Sequence, residues 1–418
     1  MEETKKILIL GGKPIGSCEL VETAKRKGLY TIVTDYLDKA NSPAKRIADE
    51  SWDISTADIE NLSKKIDEEK VSAITAGVHE FNIGKMIDLC TLKNFPQYCN
   101  RKQWDICENK KKFKQLCQKF EIDVAKCYTN EDLNNNRIEY PVIVKPVDSS
   151  GSRGFSICNN YEELQKGIEF AQKFSNEYLI EEYVKHEACI IHYTAINGEI
   201  YFSGMSDKHS QILNDGASVM AIQTFPSQEI NMYLEKINNK AIKMFKSIGI
   251  KNGPIWIEAF NDLNKERFLF NEMGFRLGGS MTNYPVKHFY GIDQLELIVD
   301  SALGQVYKFD NKNWIIPTKK YCILPIHLRK GKIKEIKNLK EIEKIKNVNK
   351  VVLVHNINDE IQNWGTAQQV FCYLHVKYNE DVELTNCLNE VKRLLKVLDE
   401  NNENMLFYLF DLSKLNVG

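Results

Sequence analysis

Residues 253–280 read GPIWIEAFNDLNKERFLFNEMGFRLGGS. Two apolar runs of strand composition, GPIWIEAF and RFLFNEMGF, flank a polar stretch with turn chemistry, so the segment reads as an antiparallel hairpin carrying one carboxylate per strand, Glu258 and Glu272. Alternation along each strand puts Trp256, Glu258 and Phe260 on one face and predicts that Phe268, Phe270 and Glu272 share a face as well. A carboxylate set among aromatic rings needs a counter-charge, because burying it alone is costly. Hard oxygen donors of this kind suit Mg²⁺, which takes one or two carboxylates together with the phosphates of a nucleotide. Arg276, four positions after Glu272, adds a fixed cation suited to bidentate anion binding. An ordinary hairpin with two salt-bridged glutamates is the plainer alternative, and the rest of the chain decides between them.

The chain has 418 residues, enough for two to four domains with ample apolar surface to bury. Charged residues make up 27% and balance to a net charge of -1, which argues against bulk electrostatic binding of nucleic acid or membrane and makes any anion site local. Eleven cysteines are scattered without a paired CxxC, so neither a disulfide framework nor a zinc site is expected. The opening MEETKKILIL has too short an apolar run for a signal peptide, and no segment approaches a membrane span. A soluble cytoplasmic protein with reduced thiols is the expectation.

Outward from the hairpin, the first hundred residues alternate apolar strands (KILIL, YTIVT, SAITAG) with amphipathic helices, a βαβ pattern. Gly11, Gly12 and Gly16 follow the first strand and Asp35 closes the second, but Lys13 stands where a dinucleotide fingerprint needs its middle glycine. The turn can still receive a substrate carboxylate or phosphate. His79 and Glu80 fall at the same sheet edge, as substrate contacts or as loop polarity. After a basic helical stretch, ENKKKFKQLCQKF, the segment YPVIVKPVDSSGSRGFSI returns to strand, loop and strand. Lys145 shares a face with Ile143, opposite Val142 and Val144, and the loop beyond it offers backbone donors, hydroxyls and Arg153 for a polyphosphate. EYLIEEYVKHEA then reads as a hinge strand with Glu181 and Glu187 as candidates for a base and a ribose. Lys208 and His209 fall where they can face the site, and His209 has no recognisable partner. The lysine-rich RKGKIKEIKNLKEIEKIKNVNK mixes glutamates and apolar residues and reads as a solvated strand-turn-helix, and TNCLNEVKRLLKVL as a core-packing helix.

In their order and spacing, ENKKKFKQLC, YPVIVKPVDSSGSRG, LIEEYV with Glu187, GPIWIEAF and FNEMGFRLGGS resemble the ATP-grasp superfamily, in particular the group around biotin carboxylase and the carbamoyl-phosphate synthase large subunit. The resemblance covers essentially the whole chain. It implies an α/β fold, α+β in its central part, with a Rossmann-like pre-ATP-grasp domain at 1–102, an ATP-grasp domain at 103–304 with a lid at about 125–185, and a C-terminal α+β domain at 305–418. By that resemblance Lys110, or Lys111 if the register slips, would meet the nucleotide phosphates with Lys145, and Lys208 would lie at the nucleotide. Ser149, Ser150, Gly151, Ser152, Arg153 and Gly154 would cover the phosphates. Glu181 would meet the adenine amino group, the Glu182, Tyr183 and Val184 hinge the base edge, and Glu187 the ribose. Glu258 and Glu272 would hold Mg²⁺, or Mn²⁺ in its place, and Gly12, Glu80, Arg276 and Gly279 would face the substrate, with Arg276 at the developing acyl phosphate or tetrahedral intermediate.

One departure matters. Many members of the superfamily read E-x-N-P-R where this chain has Glu272-Met273-Gly274-Phe275-Arg276, so the asparagine oxygen is absent, with Asn271 or water as the substitute. The GGKPIG and EMGFRLGG segments look most like single-chain carboxylate–amine ligases, and no biotin-carrier segment is evident. The resemblance therefore implies an ADP-forming ligase that joins a small-molecule carboxylate to an amine through an acyl phosphate, and by analogy a homodimer. A bicarbonate-phosphorylating enzyme and an ATP-binding regulatory protein without catalysis are the rivals.

Overall fold

The computed structural model describes residues 4–147, 154–184, 187–212, 218–262, 266–310, 315–362 and 369–410. Near the amino terminus, four short strands form a parallel sheet in the order Glu50–Trp52, Tyr30–Thr34, Lys6–Leu10, Ala73–Ala76. Ile7 to Leu10, Ile32, Val33 and Ile74 are essentially inaccessible, the burial a parallel sheet reaches when crossover helices cover it. The helix Glu80–Lys93 follows the fourth strand directly and so delivers His79 and Glu80 to the carboxyl edge of the sheet.

Two capped helices come next. Asn100 and Gln103 form a reciprocal capping box on Arg101–Glu108, and the Asn109 side chain caps Lys110–Lys119. A small antiparallel sheet then runs in the order Cys127–Tyr128, Tyr178–Glu182, Val142–Pro146, Ser156–Cys158. Val142, Val144 and Ile180 pack with Leu164, Ile168 and Ala171 of the helix Tyr161–Gln172. Lys145 lies on the other face, as the alternation predicts.

The largest element is a mainly sequential antiparallel sheet. Its order is Arg267–Gly274, Gly253–Asp262, Glu187–Ile196, Glu199–Ile212, Ser218–Phe225, Lys320–Leu328, Val370–Tyr378, Val348–Leu353, with Leu406–Phe407 added beside Lys320–Leu328. Hydrogen bonding thus continues across residue 304, through Gln223 opposite Ile323 and Phe225 opposite Tyr321. In the C-terminal part the helix Asp381–Leu394 ends earlier than its periodicity suggests. Lys396–Leu398 is instead a strand pairing with Glu335–Lys337. Among the described residues no helix is long and apolar enough to cross a membrane, and the eleven cysteines are free thiols.

The hairpin corrects one expectation. Glu258 faces Glu272 directly, but Ala259 faces Phe270, so Asn271 is an extra residue bulged out of the strand. Phe268 and Phe270 therefore turn into the core with Ala259, Phe113 and Tyr233. Glu272 is switched to the opposite face, beside Glu258, and does not share a face with the two phenylalanines. Strict alternation fails because a bulge shifts the side-chain phase by one residue.

Candidate active site

Five polar groups meet at the bulged hairpin: Lys145, Lys208, Glu258, Asn271 and Glu272. Lys208 Nζ lies 2.6 Å from Glu258 Oε2, and Asn271 Nδ2 donates to Glu258 Oε1 at 3.3 Å. The Asn271 carbonyl in turn accepts from Lys145 Nζ at 2.8 Å. Burial raises the Glu258 carboxyl, but Lys208 and the Asn271 amide outweigh it and leave the pKa below the ordinary value. The Glu272 carboxyl goes the other way, raised by burial and then by the neighbouring Glu258 charge. Lys208 is raised by Glu258 against its own burial. Two carboxylates side by side, one of them short of positive charge, with an amide oxygen close by, form a donor set that suits a hard divalent cation.

Lys145 also reaches into a second cluster. The Glu181 carboxylate, 1% exposed, meets Lys145 Nζ at 2.8 Å through Oε2 and Lys114 Nζ at 2.5 Å through Oε1. Burial raises this carboxyl, and the two ammonium groups overcome that and hold its pKa at about 2. Both oxygens are engaged within the protein, so Glu181 in this structure fixes two lysines. Lys114 was not read from the sequence, although it follows Lys110 by four positions and so shares its helix face. Lys110 is lowered chiefly by burial, with Glu272 the leading opposing charge.

Arg276 forms a third group. Its Nη2 lies 2.9 Å from Glu80 Oε1, its Nη1 donates to the Leu277 carbonyl at 2.9 Å, and its guanidinium sits 4.9 Å from the Trp256 ring centroid. Trp256 in turn lies over Gly274, where a Cβ would come within 2.2 Å of the indole. Glycine at position 274 thus leaves the space that lets Trp256 carry Arg276. Gly274→Ala is expected to cost about 1–3 kcal/mol by overpacking and to displace Arg276; urea unfolding together with the kinetics of the variant checks both effects.

The glycine turn is closed from within. Gly12 N–H donates to Asp35 Oδ2 at 2.7 Å, and Gly16 N–H to Glu19 Oε2 at 2.8 Å. A Cβ on Gly12 would lie 1.7 Å from Ser42 Oγ, so only glycine permits this approach. The Gly12 amide expected to face the substrate therefore already holds the Asp35 carboxylate, and the Gly16 amide of the same turn holds Glu19. Gly279 has open space around its Cα. Glu182 accepts from the Lys126 amide at 3.0 Å, and the Tyr183 amide donates to the Pro141 carbonyl at 3.1 Å. His209 lies at a β-bulge, opposite Ile222. Ser149, Ser150, Gly151, Ser152 and Arg153 fall outside the described residues, as does the Glu187 side chain, whereas Gly154 and the Val184 backbone fall within them.

Residues 111–281 match the family described as ATP-grasp domain. This segment is an ATP-grasp domain. A formate-dependent phosphoribosylglycinamide formyltransferase of Prochlorococcus marinus is 32% identical over 166 residues, 38% of this chain and 42% of that protein. The chain spans about half the length of the first curated relatives it matches. Among solved structures, an L-amino acid ligase from Bacillus licheniformis superposes with a TM-score of 0.76 at 18% identity, covering 96% of this chain and 100% of that one. A biotin carboxylase from Campylobacter jejuni does so with a TM-score of 0.76 at 19% identity, covering 95% and 93%. At such identities the likeness concerns the fold, and it extends beyond the ATP-grasp domain to nearly the whole chain. The expected α/β fold with an ATP-grasp core is the one observed.

Proposed function

We propose that the protein is an ATP-dependent, ADP-forming carboxylate–amine ligase that works through an acyl phosphate. The observation that carries this reading is the continuous polar chain from Lys114 through Glu181, Lys145 and Asn271 to Glu258, with Glu272 alongside. It lines up cations and carboxylates in the order that a metal-bound polyphosphate requires. The curated relatives are named formate-dependent phosphoribosylglycinamide formyltransferases, so a small carboxylate stands in their name, which favours a carboxylate as substrate here.

In this reading Lys110 and Lys145 neutralise the phosphate oxygens, and Lys114 keeps Glu181 from drawing Lys145 away. Glu258 and Glu272, with Asn271 as the neighbouring amide, would hold Mg²⁺, or Mn²⁺ in its place, which supplies charge neutralisation of the transferring phosphoryl group. An oxygen of the substrate carboxylate attacks the γ-phosphorus, the bond to the bridging oxygen of ADP breaks, and an acyl phosphate forms. The amine nitrogen then attacks the acyl carbon, phosphate leaves with the bonding pair, and the amine proton passes to solvent or the departing phosphate. Arg276 faces the acyl phosphate as it forms and stabilises the tetrahedral oxyanion when the amine attacks. Residues 149–154 are the proposed cover over the phosphates, and the hinge at 182–184 the proposed base edge.

Arg276→Ala should lower carboxylate-dependent ADP release by about 10²–10³-fold, the range for losing one oxyanion donor, while the circular dichroism spectrum stays that of the parent. ADP release measured with Mg-ATP across amino acids, dipeptides and sugar acids, each with and without an amine, tests the reading directly. Release that needs both an acid and an amine supports it. Release with bicarbonate alone would assign the protein to carboxylation chemistry instead.

A further inference from the structure

The helix Glu80–Lys93 carries apolar side chains on two opposite faces. Ile83, Met86, Ile87, Leu89 and Cys90 are buried on the side where the helix packs on the amino-terminal sheet and on the helices Ile59–Glu68 and Arg101–Glu108. On the far side Phe81 is 58% exposed and Leu92 is 60% exposed. Lys85 and Asp88 stand between them. Steps of four, three and four residues keep positions 81, 85, 88 and 92 within about 60° of arc at 3.6 residues per turn, so the four make one stripe about 17 Å long. Lys85 Nζ lies 5.4 Å from the Phe81 ring centroid and only loosely, at 3.9 Å, from Asp88 Oδ2. Asp88 Oδ1 is engaged by Arg101 at 2.7 Å.

A single exposed apolar side chain calls for no explanation. The order of these four does. Read from either end, the stripe gives an apolar residue and then, four positions in, a charge, and the two charges have opposite signs. A second copy of the helix turned end for end therefore lays Leu92 against Phe81 and brings Asp88 level with Lys85, each contact occurring twice about an axis that passes between Met86 and Ile87. A parallel copy would set lysine against lysine and aspartate against aspartate. A two-fold interface needs one patch that complements itself, and the stripe meets that condition in shape and in charge. The loose contact between Lys85 and Asp88 Oδ2 within one chain is free to be exchanged for the tighter one across the axis. Arg101 and Asp105 on one side and the Lys93–Asp67 ion pair at the end of the helix supply a polar border. One helix stripe with such a border falls short of the roughly 800 Å² per partner of a standard interface, so the association is weak and reversible.

We propose that Phe81, Lys85, Asp88 and Leu92 form the centre of a two-fold interface between two copies of this chain, with their Glu80–Lys93 helices packed antiparallel. The proposal stands independently of the ligase reading. Its test is sedimentation velocity of the full-length protein from about 1 to about 300 μM, a range that spans weak association. The parent should pass from monomer to dimer across that range.

Lys85→Asp sets carboxylate against carboxylate at both crossings, and Asp88→Lys sets ammonium against ammonium, so each alone should weaken self-association by about 10-fold or more. Mixed in equal amounts, the two variants carry opposite charges at both crossings and should associate with each other about as tightly as the parent does with itself. Phe81→Glu removes the apolar anchor from both copies and should weaken the dimer by about 100-fold. Because Asp88→Lys also gives up the Arg101 ion pair, thermal unfolding of each variant is followed alongside. Phe81→Glu, at a position that lies in water in the single chain, carries the test if Asp88→Lys does not fold. A parent that stays monomeric throughout would leave the stripe to some other partner and overturn the proposal. A parent dimer that Phe81→Glu leaves intact, or a mixture no tighter than its two components, would overturn it as well.

Discussion

Glu272→Gln is expected to yield a protein more resistant to unfolding than the parent in the absence of ligands, yet slower in ADP release by at least about 10²-fold. The two effects share a cause. Burial and the adjacent Glu258 raise the Glu272 carboxyl in the folded state above its ordinary value. A carboxyl raised on folding favours the folded state at low pH and loses that contribution as pH rises through the folded-state pKa. Wherever Glu272 is ionised in the folded protein it is thus a liability that glutamine removes, offset in part by the carboxylate partner that Lys110 then lacks. The stability gain should shrink as the pH is lowered and the parent's carboxyl protonates. Urea unfolding at several pH values, paired with ADP release, measures both sides. Parent-level turnover would remove Glu272 from the proposed metal platform, and destabilisation at every pH would show that Glu272 is satisfied by the resting protein.

The second large effect concerns Glu181. Glu181→Gln should destabilise the small sheet by about 3–5 kcal/mol, because it leaves the Lys114 and Lys145 ammonium groups buried without a counter-charge. The pH dependence of the parent gives an independent figure. With the carboxyl at about 2 in the folded state and about 4.3 in the unfolded chain, the difference corresponds to about 3 kcal/mol. Its contribution is complete above the unfolded value and disappears as pH falls through the folded one. Hydrogen exchange along Val142–Pro146 and Tyr178–Glu182 locates the loss. Unchanged protection there would mean that the two lysines find water or other acceptors.

Local patterns made the hairpin and the amino-terminal sheet legible. The turn residues after Phe260 and the unbroken apolar strands KILIL and YTIVT are sequence-near signals. The bulge at Asn271 was not legible, since inserting one residue leaves composition and approximate spacing intact while reversing which face Glu272 takes. Glu80 and Arg276 were each singled out, but their contact spans 196 residues and arises only from tertiary packing. Likewise the Asp35 carboxylate that occupies the Gly12 amide comes from the next strand, so the glycine turn looked available in one dimension. Lys114 is different. Its spacing from Lys110 contained the signal, but the run of lysines around it disguised the inward-facing one.

The ladder that passes from Phe225 to Tyr321 has a further consequence for how this protein can be divided. The last hundred or so residues cannot be treated as an exchangeable cassette. Cutting near residue 304 would uncover the unpaired edge of Ser218–Phe225 and strip Gln223 and Phe225 of their ladder partners, an exposed edge of the kind that recruits other chains. Altering this protein is therefore better done by replacing side chains around Glu258 and Glu272 than by swapping its carboxyl-terminal part, because that part supplies strands to the same sheet that carries the paired glutamates.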